Sequence, residues 1–532
     1  MKSLGSHALL AALAAVVATT LISPFGRDLF IGDETKYGQV IREMRATGSW
    51  FLPTLDGHPF THKPPLHFWL IDVLTLPLGV YSTWAFVLPS ILALVFLVWL
   101  VASMSGQGGA PSASRLAAFV TATSVMIWAS AQTGRMDVSF TAFLALAAWM
   151  LFVFFERSEP RALLIAGVAL GIATLIKGPM APIIGVVLFL FEWWRRRRAP
   201  RGNYAPALAA MIVIPLLWAV PAMILGGRAY THEIIVKQTI GRAVSTWVHQ
   251  APPWYYLLHL PGVLFPWFIL AVIAVVTLRR GTPLQRFCIN WILAVVVPYS
   301  LMSSKLDIYM MALIPPVAIL VADLCAMGAR GVRAANTVML AIYAVVGGIG
   351  IFAASAILYL ARVGPEWVKK ALVHLTAAPE GVLLARSDVR AFFAVFAILA
   401  IVELALTRRR SLVASTMAVG LVPVVAFTFA AAALMPLANG LASTRPLIVA
   451  LDSQFVAPQE IALYWCPYLW SRDWPSPLEN VRYVDAGTLR TMHPTVIVTS
   501  RIHSVEIAPS LDGYRKVGSL RMIGKWFDVY RR

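Results

Sequence analysis

LHFWLIDVLTLPLGVY, from Leu66 to Tyr81, is the stretch on which the fold turns. It is apolar enough to enter a bilayer, yet it is short, carries Asp72 and Pro77, and has the polar His67 near its start. A transmembrane helix needs about 20 mostly apolar residues. Whether this segment crosses or lies flat fixes the sidedness of everything after it. The surrounding chain is 59% hydrophobic and 13% charged over 532 residues, against about 25% charged in soluble domains, so it is an integral membrane protein. Thirteen other segments read as spans: 7–25, 84–104, 115–132, 136–155, 162–176, 180–194, 205–226, 254–278, 287–303, 307–326, 335–360, 391–406 and 411–436. With Lys2 inside and 66–81 along the interface, every inside turn is basic: Arg115, Arg157 and Arg161, Arg195 to Arg198, Arg279 and Arg280, Arg330 and Arg333, and Arg408 to Arg410. That is the positive-inside pattern. If 66–81 crosses, all these clusters move outside. The segment is therefore read as an interfacial helix, and an odd number of spans leaves the C-terminal tail outside.

The predicted architecture is an α-helical polytopic membrane protein with about 13 transmembrane helices. Residues 1–442 form the membrane domain, 26–83 its first outer loop, and 443–532 an outer α/β domain. The tail is assigned by its shift to mixed polar composition and by short β-like runs, PLIVALD, VRYVDAG and PTVIVTS, separated by Pro, Gly and Asn. Residues 361–390 read as a long outer loop. Lys2 before an apolar run resembles a signal peptide, but the later spans make it a first transmembrane helix or signal anchor. The net charge of +19 is explained largely by the inside clusters, so nucleic acid is not an expected partner. Cys288, Cys325 and Cys466 form no CxxC or Cys/His pattern, which argues against a disulfide framework or zinc knuckle.

This topology collects polar residues on one face. Asp33, Glu34, Lys36, His62 and Lys63 fall in the first outer loop, Arg135 and Asp137 in the second, and Lys177 at the third. Arg242, His249 and a Trp/Tyr group fall in the fourth, and Lys305, Asp307 and Tyr309 in the fifth. Each admits a structural reading. Asp33 suits a helix N-cap, Glu34 the first turn of the same helix, and Arg135 with Asp137 an ion pair. Lys177 suits a snorkelling helix end, and Trp254 to Tyr256 an interfacial aromatic belt. Yet lone cations at membrane depth are costly and mark function. Carboxylates ringed by isolated lysines and arginines suit a substrate bearing an anionic phosphate and a reacting hydroxyl or acetal. The cations would hold the phosphate and a carboxylate would act as base or orient the acceptor. No Walker loop or GxGxxG is present, so the natural phosphate carrier at an outer leaflet is a lipid.

The segment DETKYGQVIREMRATGSWFLPTLDGHPFTHKPPLHFWL resembles the first outer loop of bacterial 4-amino-4-deoxy-L-arabinose transferases of lipid A. These are membrane glycosyltransferases of the GT-C class, related to protein O-mannosyltransferases. Asp33, Glu34, Lys36, Tyr37, Gly48, Trp50, Pro53, Lys63 and Pro64 carry the resemblance. Arg135-x-Asp137, Lys177-Gly-Pro, His249-x-x-Pro-x-Trp-Tyr-Tyr and Ser304-Lys305-Leu306 with Tyr309 extend it in order. It implies transfer of a sugar from an undecaprenyl-phosphate donor to lipid A or a related envelope acceptor. The expected place is the periplasmic face of the bacterial inner membrane. It implies Asp33, Glu34 and Asp137 as the catalytic acids. Lys63, Lys36, Lys305 and Tyr309 would hold the donor phosphate, with Arg135 and Lys177 supporting them. No cofactor is required by this reading. His62 stands where relatives often carry an acid, and with His249 it is a candidate contact for a divalent metal.

A protein O-mannosyltransferase-like enzyme would share these groups and differ in its acceptor. An oligosaccharyltransferase would carry a WWDYG-type motif, whereas Trp193-Trp194 here runs into inside arginines. A lipid or ion transporter is the reading of another class. Transporters bind near the midplane, often between inverted repeats. No repeat is visible here, and the charges gather at one face.

Overall fold

The computed structural model describes residues 2–107, 111–197, 202–236, 250–365, 387–452, 460–470, 481–522 and 524–532. Among them, nine helices are long and apolar enough to cross a membrane on their own, or ten if the pair Tyr255–Val263 and Phe268–Leu278, bent by 112°, is counted as one span. The other expected spans coincide with Lys2–Thr20, the broken pair Pro111–Thr123 and Val125–Ala131, and Met180–Arg196. Most of the segment expected as a long outer loop, 366–386, lies outside the described residues.

Leu66–Leu78 is a 13-residue helix, about 20 Å long at 1.5 Å per residue, too short for a hydrocarbon core of about 30 Å. Its polarity is inverted relative to a helix in water. His67, Ile71, Asp72 and Thr75 are buried against the protein, while Leu70, Val73 and Leu76 are exposed. A helix lying on the bilayer surface has this pattern. Asp72 is accommodated because Arg45 reaches it from the first-loop helix Asp33–Thr47.

Parity supports the flat placement. The C-terminal sheet packs on the first loop: Trp470 is buried against Gly38, Tyr81 and Phe86, and Arg42 donates to the Leu469 carbonyl at 3.2 Å. Loop and tail therefore share a face, and an even number of crossings must separate them. The helices from Thr83 to Ala442 supply that number with the bent pair counted once; a crossing at 66–78 would break it.

The strands are β1 (Thr54–Leu55) and β2 (His58–Pro59), a first-loop hairpin, and β3 (Ile461–Tyr464), β4 (Arg482–Tyr483), β5 (Val496–Ser500), β6 (Arg515–Met522) and β7 (Lys525–Arg531). The last five form one sheet ordered β4-β3-β5-β7-β6, parallel at β4-β3-β5 and antiparallel at β5-β7-β6. Period-two alternation sends Ile461 and Leu463 to one core and Ala462 and Tyr464 to the other. One of the expected β-like runs is corrected. PLIVALD lies in the helix Arg445–Asp452, because Leu447, Ile448 and Leu451 all face the sheet, a spacing that only a helix brings to one side.

Candidate functional site

Three outer loops meet over the first-loop helix. Asp33 opens that helix, and Gly32, at φ +122°, is its N-cap, a conformation that favours glycine. Asp33 makes no capping bond. Its carboxylate pairs instead with Arg135 at 3.2 Å, both groups remaining more than a third exposed. Arg135 also pairs with Asp137 at 3.2 Å, and Asp137, nearly inaccessible, pairs with Lys177. The result is an alternating chain of charges, Lys177, Asp137, Arg135, Asp33.

The turn bearing Arg135 is pinned from several sides. The Gly134 N–H donates to Glu34 Oε1 at 2.5 Å, its carbonyl meets His67 Nε2 at 3.0 Å, and Ser90 donates to the Arg135 carbonyl at 2.7 Å. A Cβ at Gly134 would lie 3.1 Å from the Phe86 Cβ, so glycine permits this close approach. His67 is fully buried, and burial lowers its pKa; as the neutral ring it donates from Nε2. Lys177 ends the helix Pro160–Lys177, and Gly178 at φ +100° turns the chain away. Its ammonium sits 4.9 Å from the centre of the Tyr309 ring, a cation–π distance, and Tyr309 stacks on Tyr299 at 5.1 Å.

Tyr37 and Lys36 share a helix face with Asp33, at i+4 and i+3. Burial, then the charges of Asp33 and Asp137, push the Tyr37 hydroxyl well above its ordinary pKa. Lys63 follows the hairpin, and its charge reaches Asp137. The structure thus brings together Asp33, Arg135, Asp137, Lys177 and Tyr309, with Lys63 in electrostatic reach.

Other expected residues have other partners or lie outside the described residues. Glu34 points away from Asp33 into the protein, where Arg27 Nη1 and Nη2 donate to it at 2.6 and 2.8 Å and the Phe30 N–H at 2.8 Å. Together with Gly134 these donors occupy both its oxygens, so the placement is structural rather than catalytic. Burial raises the Glu34 carboxyl, but Arg27 and the backbone donors override it and hold the pKa below the ordinary value. Lys305 is buried and its ammonium donates to the Met302 carbonyl of its own loop; burial lowers its pKa. His62 is exposed with its ring beside Phe60 at 5.3 Å, and His249 and Arg242 lie outside the described residues. Among the described residues no three His, Cys, Asp or Glu side chains cluster as metal ligands. The sequence reading missed Arg27 and the pair of His259 with Asp307 at 2.8 Å. Arg27 carried the signal used for Arg135, a lone arginine in an outer segment.

The family model for dolichyl-phosphate-mannose-protein mannosyltransferase matches residues 62–218. An undecaprenyl phosphate-alpha-4-amino-4-deoxy-L-arabinose arabinosyl transferase from Sodalis glossinidius is 28% identical over 327 residues, covering 58% of this chain and 56% of its own. Another from Serratia proteamaculans is 26% identical over 403 residues, covering 71% and 69%. The chain therefore spans little more than half the length of the first of these relatives. The crystal structure of ArnT from Cupriavidus metallidurans bound to undecaprenyl phosphate superposes with a TM-score of 0.76 over 98% of both chains, at 17% identity. The chain has this ArnT-like GT-C fold, and the resemblance carried by the first-loop motif is borne out.

Proposed function

We propose that this protein transfers a glycosyl group from a polyprenyl-phosphate donor to lipid A or a related envelope acceptor, at the periplasmic face of the inner membrane. An acceptor oxygen attacks the anomeric carbon. The bond from that carbon to the phosphate oxygen breaks, and polyprenyl phosphate leaves with the electron pair. Lys63 and Lys36, with Tyr309 beside Lys177, meet the leaving phosphate. If the acceptor is a phosphate, it is already anionic, and Asp33 orients groups and stabilises positive charge on the sugar. If it is a hydroxyl, Asp33 takes its proton. The observation that carries the reading is the convergence of Asp33, Arg135, Asp137 and Lys177 from three loops onto one end of the bundle. That end is opposite the one where Arg196 meets Glu156 and Arg333 meets the Arg410 carbonyl. Similarity to arabinosyl transferases supports the donor class.

The test incubates purified protein with membrane lipids of its host and compares lipid A masses. A sugar increment that disappears with Asp33→Asn supports the reading. Unchanged lipid A with intact polyprenyl-phosphate binding moves the acceptor to another glycan or a protein. The match to the protein mannosyltransferase model favours that second reading. Unchanged lipid A without such binding removes the transferase reading.

A further inference from the structure

Away from the charge chain, a cavity of about 840 Å³ opens between the first-loop hairpin and the C-terminal sheet, within the roughly 300–1,000 Å³ range of small-molecule sites. The hairpin is joined to the sheet there by Tyr468, whose hydroxyl donates to Asp56 Oδ2 at 2.7 Å. The other oxygen, Asp56 Oδ1, is buried and has no hydrogen-bond partner among the described residues. A buried acceptor left unsatisfied calls for an explanation, and a ligand donor would supply one.

Trp465 is the second unusual feature. It lines the same cavity and is 62% exposed. Its backbone is left-handed at φ +50°, an uncommon conformation for a bulky residue. Its indole stacks on His503 at 4.3 Å and 10°, so one face is fixed. Backbone strain that displays a large aromatic ring at a cavity points to a binding role. Asp485, across the cavity, already caps a helix through the Thr488 N–H at 2.6 Å and stays exposed.

The wall chemistry selects the ligand. An indole face buries an apolar ring face, while carboxylates accept from the hydroxyls at its edge. A pyranose offers both at once, an apolar C–H face and a polar rim. A lipid tail would strand the carboxylates, and a wall that sets Asp56 and Asp485 beside Lys525, His58 and His503 suits a polar ring with both donors and acceptors rather than a purely anionic ligand.

We propose that this groove is a saccharide subsite that takes the sugar rings of the acceptor's head group. The Trp465 indole lies against a pyranose face, and Asp56 Oδ1 accepts from a hydroxyl or ammonium. The proposal rests on the transferase reading for the identity of its ligand as an acceptor. Its place fits: Ile31, two residues before Asp33, also lines the groove, and the hairpin bearing Asp56 runs on to Lys63.

The experiment uses the full chain in detergent, with a glucosamine disaccharide as probe, followed by saturation-transfer NMR. Trp465→Ala and Asp56→Asn are compared with the parent, and unchanged melting verifies their folding. The disaccharide ring protons should gain signal on the parent and lose it on Trp465→Ala. The acceptor KM should rise about tenfold in each variant, with kcat and donor KM held within about twofold. Equal NMR signals on parent and Trp465→Ala, or an unchanged acceptor KM, overturn the subsite. If no acceptor is ever glycosylated but the disaccharide signal depends on Trp465, the transferase reading fails and the saccharide site stands.

Discussion

Two adjacent acids, Asp33 and Glu34, should respond oppositely to loss of charge. Glu34 and Arg27 have side chains only 6% and 1% exposed, and four donors converge on the Glu34 carboxylate. In Glu34→Gln, one oxygen becomes an NH₂ that faces donors, and Arg27 is left charged and buried. Breaking a buried pair by removing one partner costs about 3–5 kcal/mol, against a total stability of about 5–15 kcal/mol. Asp33→Asn breaks only a half-exposed pair at 3.2 Å, of a kind that contributes about 0–1 kcal/mol. Thermal unfolding in detergent at a fixed scan rate should therefore show a large drop for Glu34→Gln and little change for Asp33→Asn. Turnover per folded molecule should fall far more for Asp33→Asn. The folded Glu34 pKa lies below the ordinary glutamate value. Its stabilisation is therefore complete above that value and is lost as pH falls through the folded one; Glu34→Gln should lack this acid-sensitive component. A Glu34→Gln protein that melts like the parent yet does not turn over would refute the structural assignment.

Lys63→Ala should weaken polyprenyl-phosphate binding about 10- to 100-fold, the equivalent of one charge-assisted hydrogen bond, measured by ligand titration with melting unchanged. Because the phosphate is assigned to side-chain cations, extensive dialysis against EDTA should leave the transfer rate unchanged. A loss that added divalent metal restores would show that a metal takes part.

Much of this was legible because membrane burial makes charge conspicuous. Arg135, Lys177 and Lys305 stood out as lone cations in outer loops, and the basic inside turns fixed their side. Hydrophobic length located the spans; Asp72 and Pro77 left 66–81 ambiguous, and the positive-inside pattern decided that it does not cross. What was not legible depends on rotation and distant partners. Adjacent helix residues point about 100° apart, so the pair Asp33-Glu34 did not reveal which acid faces the site. That rests on Gly32, rather than Asp33, being the N-cap of the helix. Arg27 had the right signal, but only the fold shows that it is consumed by Glu34. PLIVALD misled because short apolar runs suit strand or helix equally. Trp465 and Asp56 line one cavity because Tyr468 bonds to Asp56 across 412 residues of sequence, which no local pattern encodes.

The charge chain also limits which cation can matter most. Lys177, Asp137, Arg135 and Asp33 sum to zero, so the four together offer an incoming phosphate no net attraction. Asp137 is the member that neutralises both cations, bridging Lys177 and Arg135 from a nearly inaccessible position. Asp137→Asn should therefore lower stability, since it leaves Lys177 buried and Arg135 paired with Asp33 alone. It should also leave the chain with one net positive charge, which the donor phosphate can neutralise. A ligand that binds the folded state stabilises it in proportion to its affinity, so polyprenyl phosphate should raise the melting midpoint of Asp137→Asn more than that of the parent. Turnover should nevertheless fall, because Arg135, which positions Asp33, loses its anchor on Asp137. An equal midpoint shift in both proteins would mean that the phosphate never approaches Lys177 and Arg135. The donor site would then have to be drawn around Lys63 and Lys36 alone.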